Sequence, residues 1–257
     1  MKKAFDRYQQ VLIIPDTHVP YHDKKAWALV QLVAEYYHPE WYVILGDFID
    51  CYTVSSFGKS PNRQYRLVDE VNIGKTLLRN LEQHIGPNRI FCEGNHEYRY
   101  ERYITDKAPE LYEYLTKKDL LDLRAHGWKV TAYKHTTKLG KIHITHDLGR
   151  AGKFSTSQSM HSYGDNLIIG HNHRMDYHIR ANGKGTTHLG ASFGWLGDKK
   201  YADYTYSAIN SMEWALGFGW GLLDTKTGFI YMTPVPIVEY TCMVNGKVFG
   251  LKGVLNG

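Results

Sequence analysis

Cysteine is scarce in this 257-residue chain: Cys51, Cys92 and Cys242 are the only three. Widely spaced thiols in so long a chain make no disulfide framework, which excludes a disulfide-stapled scaffold and points to a reducing compartment. No apolar run approaches the ~20 residues that a membrane-spanning helix needs. The first residues, Met1-Lys2-Lys3-Ala4-Phe5-Asp6-Arg7, carry no apolar stretch of the signal-peptide kind. A cytoplasmic protein without a membrane partner is therefore expected. Internal repeats and low-complexity linkers are also missing. A hydrophobic content of 43% with 22% charged residues is ordinary for a globular chain, and one domain over 1–257 with elaborations is the expected organisation.

What is present is a pattern. Five short apolar runs read as strands: Val11–Pro15, Trp41–Leu45, Arg89–Glu93, Lys141–Ile144 and Asn166–Ile169. Each is followed at once by residues that bind metals. These are Asp16-Thr17-His18, Gly46-Asp47-Phe48-Ile49-Asp50, Gly94-Asn95-His96-Glu97, Thr145-His146 and Gly170-His171-Asn172-His173. A buried strand that ends in Asp, Asn or His carries a desolvation cost unless those groups are paired or coordinated. In open sheets, ligands gather beyond the carboxyl ends of the strands, so the five tips could meet at one place.

The donor set suits two ions. Asp47 has two oxygens and could bridge, with Asp16, His18 and His173 completing one ion and Asn95, His146 and His171 the other. Mixed imidazole and carboxylate donors favour divalent transition metals, Mn first, with Fe, Zn or Ni fitting as well. Two such ions would clamp an in-line phosphoryl displacement.

The ordered blocks D-x-H, G-D-x-x-D, G-N-H-E, H and G-H-x-H resemble the calcineurin-like metallophosphoesterases over roughly residues 11–174. The resemblance implies an α/β fold, a two-sheet β sandwich of mixed sheets flanked by helices in four α-β-β-α layers. It implies hydrolysis of a phosphate ester by a hydroxide held between two metals. It also implies that His96 serves the leaving group and that Asp50 holds His96 in the useful tautomer. One departure matters. Protein phosphatases of this family place an Arg after the second Asp of G-D-x-x-D, and here that position is Cys51. A phosphodiesterase or nuclease acting on nucleic acid or nucleotides is therefore favoured. A phosphomonoesterase, of nucleotides or of Ser/Thr phosphoproteins, is the alternative, and a non-catalytic scaffold is disfavoured because no ligand is missing.

Charge supports an anionic substrate. The net charge is +5, but residues 129–200 alone hold 11 Lys/Arg against 4 Asp. Lys59, Arg63, Arg66, Arg99, Arg150 and Arg174 are candidate phosphate contacts, with 51–66 and 148–165 read as loops at the mouth of the site. Helices are expected over Lys24–Tyr37 and Leu67–Ile85, and in pieces over Glu97–Leu123. A hairpin is expected between Trp128–Tyr133 and Lys141–Ile144. An antiparallel second half is expected over Tyr177–Arg180, Thr186–Leu189, Gly219–Leu223, Phe229–Thr233 and Val235–Val244, with turns at Asn182-Gly183, Thr227-Gly228 and Asn245-Gly246. The aromatic and glycine-rich stretch 190–221 reads as packed core or as a stacking platform.

Overall fold

The computed structural model describes residues 7–59, 65–115, 119–201 and 213–255. The chain opens with β1 (Tyr8–Ile14), α1 (Lys24–Tyr37), β2 (Trp41–Ile44), α2 (Leu67–Glu82) and β3 (Asn88–Cys92), followed by α3 (Asn95–Lys107), the short α4 (Tyr112–Leu115) and β4 (Trp128–Thr131). Each strand pairs in parallel with the next. A second run holds β5 (Thr137–Leu139), β6 (Ile142–Ile144), α5 (Ser155–Tyr163), β7 (Leu167–Ile168), β8 (Met175–Ala181) and β9 (Thr187–Phe193). Then β10 (Gly217–Asp224) and β11 (Ile230–Pro236) return to the first sheet, and β12 (Thr241–Val244), β13 (Lys247–Gly250) and β14 (Gly253–Leu255) form a small sheet of their own.

The first sheet has the order β11-β10-β1-β2-β3-β4 and the second β5-β6-β7-β9-β8. Strand alternation explains how they stack. Val11, Ile13, Val43, Leu45, Ile90 and Cys92 face the second sheet and pack with Ile142, Ile144, Ile168, Leu189, Ala191 and Phe193. The intervening Leu12, Ile14, Tyr42, Ile44 and Phe91 face the other way, onto Trp27, Val30 and Val33 of α1 and Leu78 and Leu81 of α2. Both faces are buried, so these strands read as unbroken apolar runs. On the far face of the second sheet, α5 lies close enough that a Cβ on Gly190 would meet Met160 at 2.9 Å. The result is the α-β-β-α layering expected.

Helix α1 spans Lys24–Tyr37 as expected, capped by the Asp23 carboxylate, which accepts from the Lys25 and Ala26 amides. At its far end the Tyr37 hydroxyl donates to the Val244 carbonyl, tying the helix to the small sheet. The three dipeptide turns all fall between paired strands.

Three expectations need correction. Trp128–Thr131 does not form a hairpin with the 141–144 run; it is the parallel edge of the first sheet, and the hairpin partner is Thr137–Leu139. Val235–Val244 is not one strand, because β11 ends at Pro236 and a bend precedes Thr241. The stretch 148–165 is not all loop, since nine of its residues form α5. The second sheet is mixed, as expected, because β7 runs parallel to both β6 and β9 whereas β8 and β9 are antiparallel.

Candidate active site

The loops after β1, β2, β3, β6 and β7 converge at the carboxyl ends of the two sheets. Backbone bonds stitch them together: the Thr17 and His18 amides donate to the Asp47 carbonyl at 3.0 and 2.8 Å, and Gly170 N–H donates to the His146 carbonyl at 2.9 Å. Four of the tip residues, His18, Asp47, His171 and His173, hold positive φ between 47° and 69°. That region is uncommon for residues with a side chain, and it concentrates where function demands a geometry that local preference resists.

The side chains form overlapping clusters. Asp16, His18 and His173 bring ligand atoms within 4.8 Å of one another, as do Asp47, His146 and His171. Asp47 Oδ2 lies 3.3 Å from His146 Nε2, and Asn95 Oδ1 lies 3.1 Å from the same nitrogen. His173 Nε2 lies 3.1 Å from Asp16 Oδ2 and 3.2 Å from His18 Nε2. All seven expected ligands thus sit together. Asp47 also joins His18 and His96 in a third group, so it stands between the two clusters.

Two buried carboxylates face imidazoles here, and among the described residues only histidines make ion pairs with Asp16 and Asp47. Burial and the neighbouring His96 push His18 down to about 3, leaving a neutral imidazole. Burial also lowers His171. At His146 burial acts downward but the Asp47 carboxylate outweighs it, holding the ring up at about 10. His146 Nδ1 donates to the Leu45 carbonyl at 2.8 Å, which turns Nε2 toward Asp47. A ligand histidine is oriented in the same way, by an outer partner on its second nitrogen. The donor set fits divalent transition metals: imidazoles, two carboxylates and an amide oxygen, converging without a lysine or arginine among the described residues.

Next to this set, His96 Nδ1 lies 2.8 Å from Asp50 Oδ1, and both side chains are buried. Arg99 closes the group, with Nη1 3.0 Å from Asp50 Oδ1 and 2.9 Å from the Asp50 carbonyl.

Sequence reasoning missed the clamp under these loops. The Glu97 carboxylate accepts from the amides of Asp47, Phe48, Ile49 and Gly94 at 2.7–3.0 Å. Burial and the nearby Asp47 push Glu97 up to about 7, against the pull of those amides. Its place as the last letter of Gly94-Asn95-His96-Glu97 was the available signal. Asn172 was missed too. Its amide nitrogen donates to Ser155, Thr156 and Ser192 hydroxyls, fixing the loop that carries His171 and His173. Trp195, from the aromatic stretch, stacks on His173 with ring centroids 5.0 Å apart, and Trp214 meets the same ring edge-on at 4.4 Å. Phe193, Phe218 and Trp220 of that stretch are core, whereas Tyr204 and Tyr206 lie outside the described residues.

The cationic candidates are placed differently. Arg174 donates to Glu213 and to the Asn172 carbonyl. Arg150 is exposed and donates to Ser162, Arg66 pairs with Asp69, and Lys59 donates to Tyr52 and Ser55. Arg63 lies outside the described residues. His143 bonds to the Tyr163 hydroxyl, away from the ligands.

A family model for calcineurin-like phosphoesterases matches residues 10–208. The chain belongs to that family. It is accordingly a metal-dependent phosphoester hydrolase. Among curated relatives, the gene 54 proteins of Mycobacterium phages D29 and L5 are 29% and 27% identical, each over 94% of this chain and 98% of its own length. Among solved structures, vacuolar protein sorting 29 from Cryptosporidium parvum covers 95% of both chains at 14% identity and a TM-score of 0.47. A phosphoesterase from E. coli covers 88% of this chain and 98% of its own, at 13% identity and a TM-score of 0.40. No helix among the described residues is long and apolar enough to cross a membrane.

Proposed function

We propose that this phosphoesterase is a dinuclear phosphodiesterase acting on nucleic acid or nucleotide diesters in the cytoplasm, with the whole chain acting as one domain. Asp16, His18, Asp47 and His173 would hold one ion, and Asp47, Asn95, His146 and His171 the other. Mn is the first choice, with Fe, Zn or Ni fitting the same donors. Bound there, the ions would supply Lewis acidity toward the phosphoryl oxygens and a source of hydroxide near neutral pH.

The chain's own part falls to His96. With Nδ1–H donating to Asp50, the opposite nitrogen, Nε2, faces the Asp47 side at 3.6 Å from Oδ2. A proton on Nε2 can pass to the departing oxygen, general-acid help that is usually worth ~10²–10⁴ in rate. Asp50 orients the ring, and Arg99 holds Asp50 in place.

One observation carries the preference for diesters. Arg66, Arg99, Arg150 and Arg174, the described arginines of the candidate phosphate set, are engaged by Asp69, Asp50, Ser162 and Glu213, and the position after Asp50 is the buried Cys51. A monoester dianion gains most from a fixed guanidinium fork. A diester carries one charge and depends on it less. The test compares kcat/KM for bis-p-nitrophenyl phosphate and p-nitrophenyl phosphate in one Mn buffer. The expected result is a diester rate at least equal to the monoester rate. A clear monoester preference would promote the phosphomonoesterase reading instead.

A further inference from the structure

A row of rings leads out of the site on its His146 side. The centroids of His171 and His146 are 5.2 Å apart, those of His146 and Tyr133 6.4 Å, and those of Tyr133 and Tyr98 5.3 Å. The row begins among the metal ligands and ends at the surface, where Tyr98 is 40% exposed. Two different elements build it. Tyr133 follows the carboxyl end of β4, and Tyr98 lies three residues after Asn95 on α3. The two tyrosine rings are inclined by only 32°, closer to parallel than to edge-on, so Tyr133 lies behind Tyr98 as a second ring. Lys134 places its ammonium 5.4 Å over the Tyr133 ring, adding a positive charge on the same flank.

A phosphodiester of a nucleoside has the matching layout: an anionic phosphate, a sugar, then a flat aromatic base. We propose that Tyr98, backed by Tyr133, is a base-stacking subsite for the nucleoside substituent of the substrate. This rests on the diesterase reading above. Stacking of a base on an aromatic side chain tolerates every base, because each has a π-face, so the subsite selects nucleosides without selecting sequence. Lys134 would meet the charge of a neighbouring phosphate.

The test uses two diesters with one leaving group: thymidine 5′-(p-nitrophenyl phosphate) and methyl p-nitrophenyl phosphate, with Mn-loaded enzyme. The wild type is expected to prefer the nucleoside ester, mainly through KM. Tyr98→Ala should shrink that preference about tenfold, the scale of one stacked base. Tyr98→Trp should keep it. A wild type with no nucleoside preference, or a Tyr98→Ala variant that slows both esters alike, would overturn the proposal. Failure of the diesterase reading looks different, since both diesters would then lag behind p-nitrophenyl phosphate. In that case equilibrium binding of adenosine monophosphate against methyl phosphate decides. Selective weakening of the nucleotide by Tyr98→Ala supports the subsite, and equal weakening overturns it.

Discussion

At the scale of single residues, the spacing of the motifs has a steric cause. A Cβ on Gly46 would sit 2.7 Å from both Gly94 N and His146 Nδ1; on Gly94, 2.1 Å from Asp47 Oδ1; on Gly170, 2.6 Å from Asp16 Oδ1. Each glycine precedes a ligand and lies against the ligand loop of another block, so a side chain there would hold the loops apart. The clustered candidate ligands were legible in the sequence for a related reason, since a strand rarely ends in Asp, Asn or His without need. Beyond the place of Glu97 in its block, the support that Glu97 and Asn172 give was not legible, because backbone amides and hydroxyls from distant segments are their partners. For His96 the account predicts that His96→Ala cuts kcat by ~10²–10⁴ on substrates with alkoxide leaving groups. A nitrophenolate leaving group needs no proton and should recover much of the loss. Equal losses with both kinds of leaving group would remove the acid role.

Among the elements, the parallel strands β1, β2 and β3 and the helices α1 and α2 follow from local patterning. Their two buried faces make continuous apolar runs, and the helical stripes of Trp27, Val30 and Val33 match a period of 3.6. The edge strand β4 was misassigned because alternation alone cannot name a partner: Trp128–Thr131 could pair with the next run or with β3, and only the completed sheet decides. Near β1 the order is sealed by an ion pair. Arg7 donates through Nε and Nη2 to Asp224 at 2.9 and 2.6 Å, linking the start of β1 to the end of β10. That partner holds the Asp224 carboxyl well below its usual value. A depressed carboxylate adds stability above its unfolded pKa of ~3.9 and loses it as pH falls through the folded value. Asp224→Asn should therefore lower the urea midpoint at pH 7, and the gap from wild type should narrow as pH falls below about 4. A gap independent of pH would show that the pair contributes through packing alone.

For the molecule as a whole, the α-β-β-α layering was legible through the family resemblance that the ordered motif blocks carry. The small β12-β13-β14 sheet on α1 was not, because its strands are three or four residues long and carry little pattern. The whole fold serves to bring loops from both sheets to one edge, with Asp47 between the two ligand clusters. That is the central claim, and calorimetric titration of metal-free protein with Mn tests it most directly. The account predicts two ions per chain for the wild type and impaired binding of both in Asp47→Asn. A single ion in the wild type, or two ions bound normally by Asp47→Asn, would contradict it.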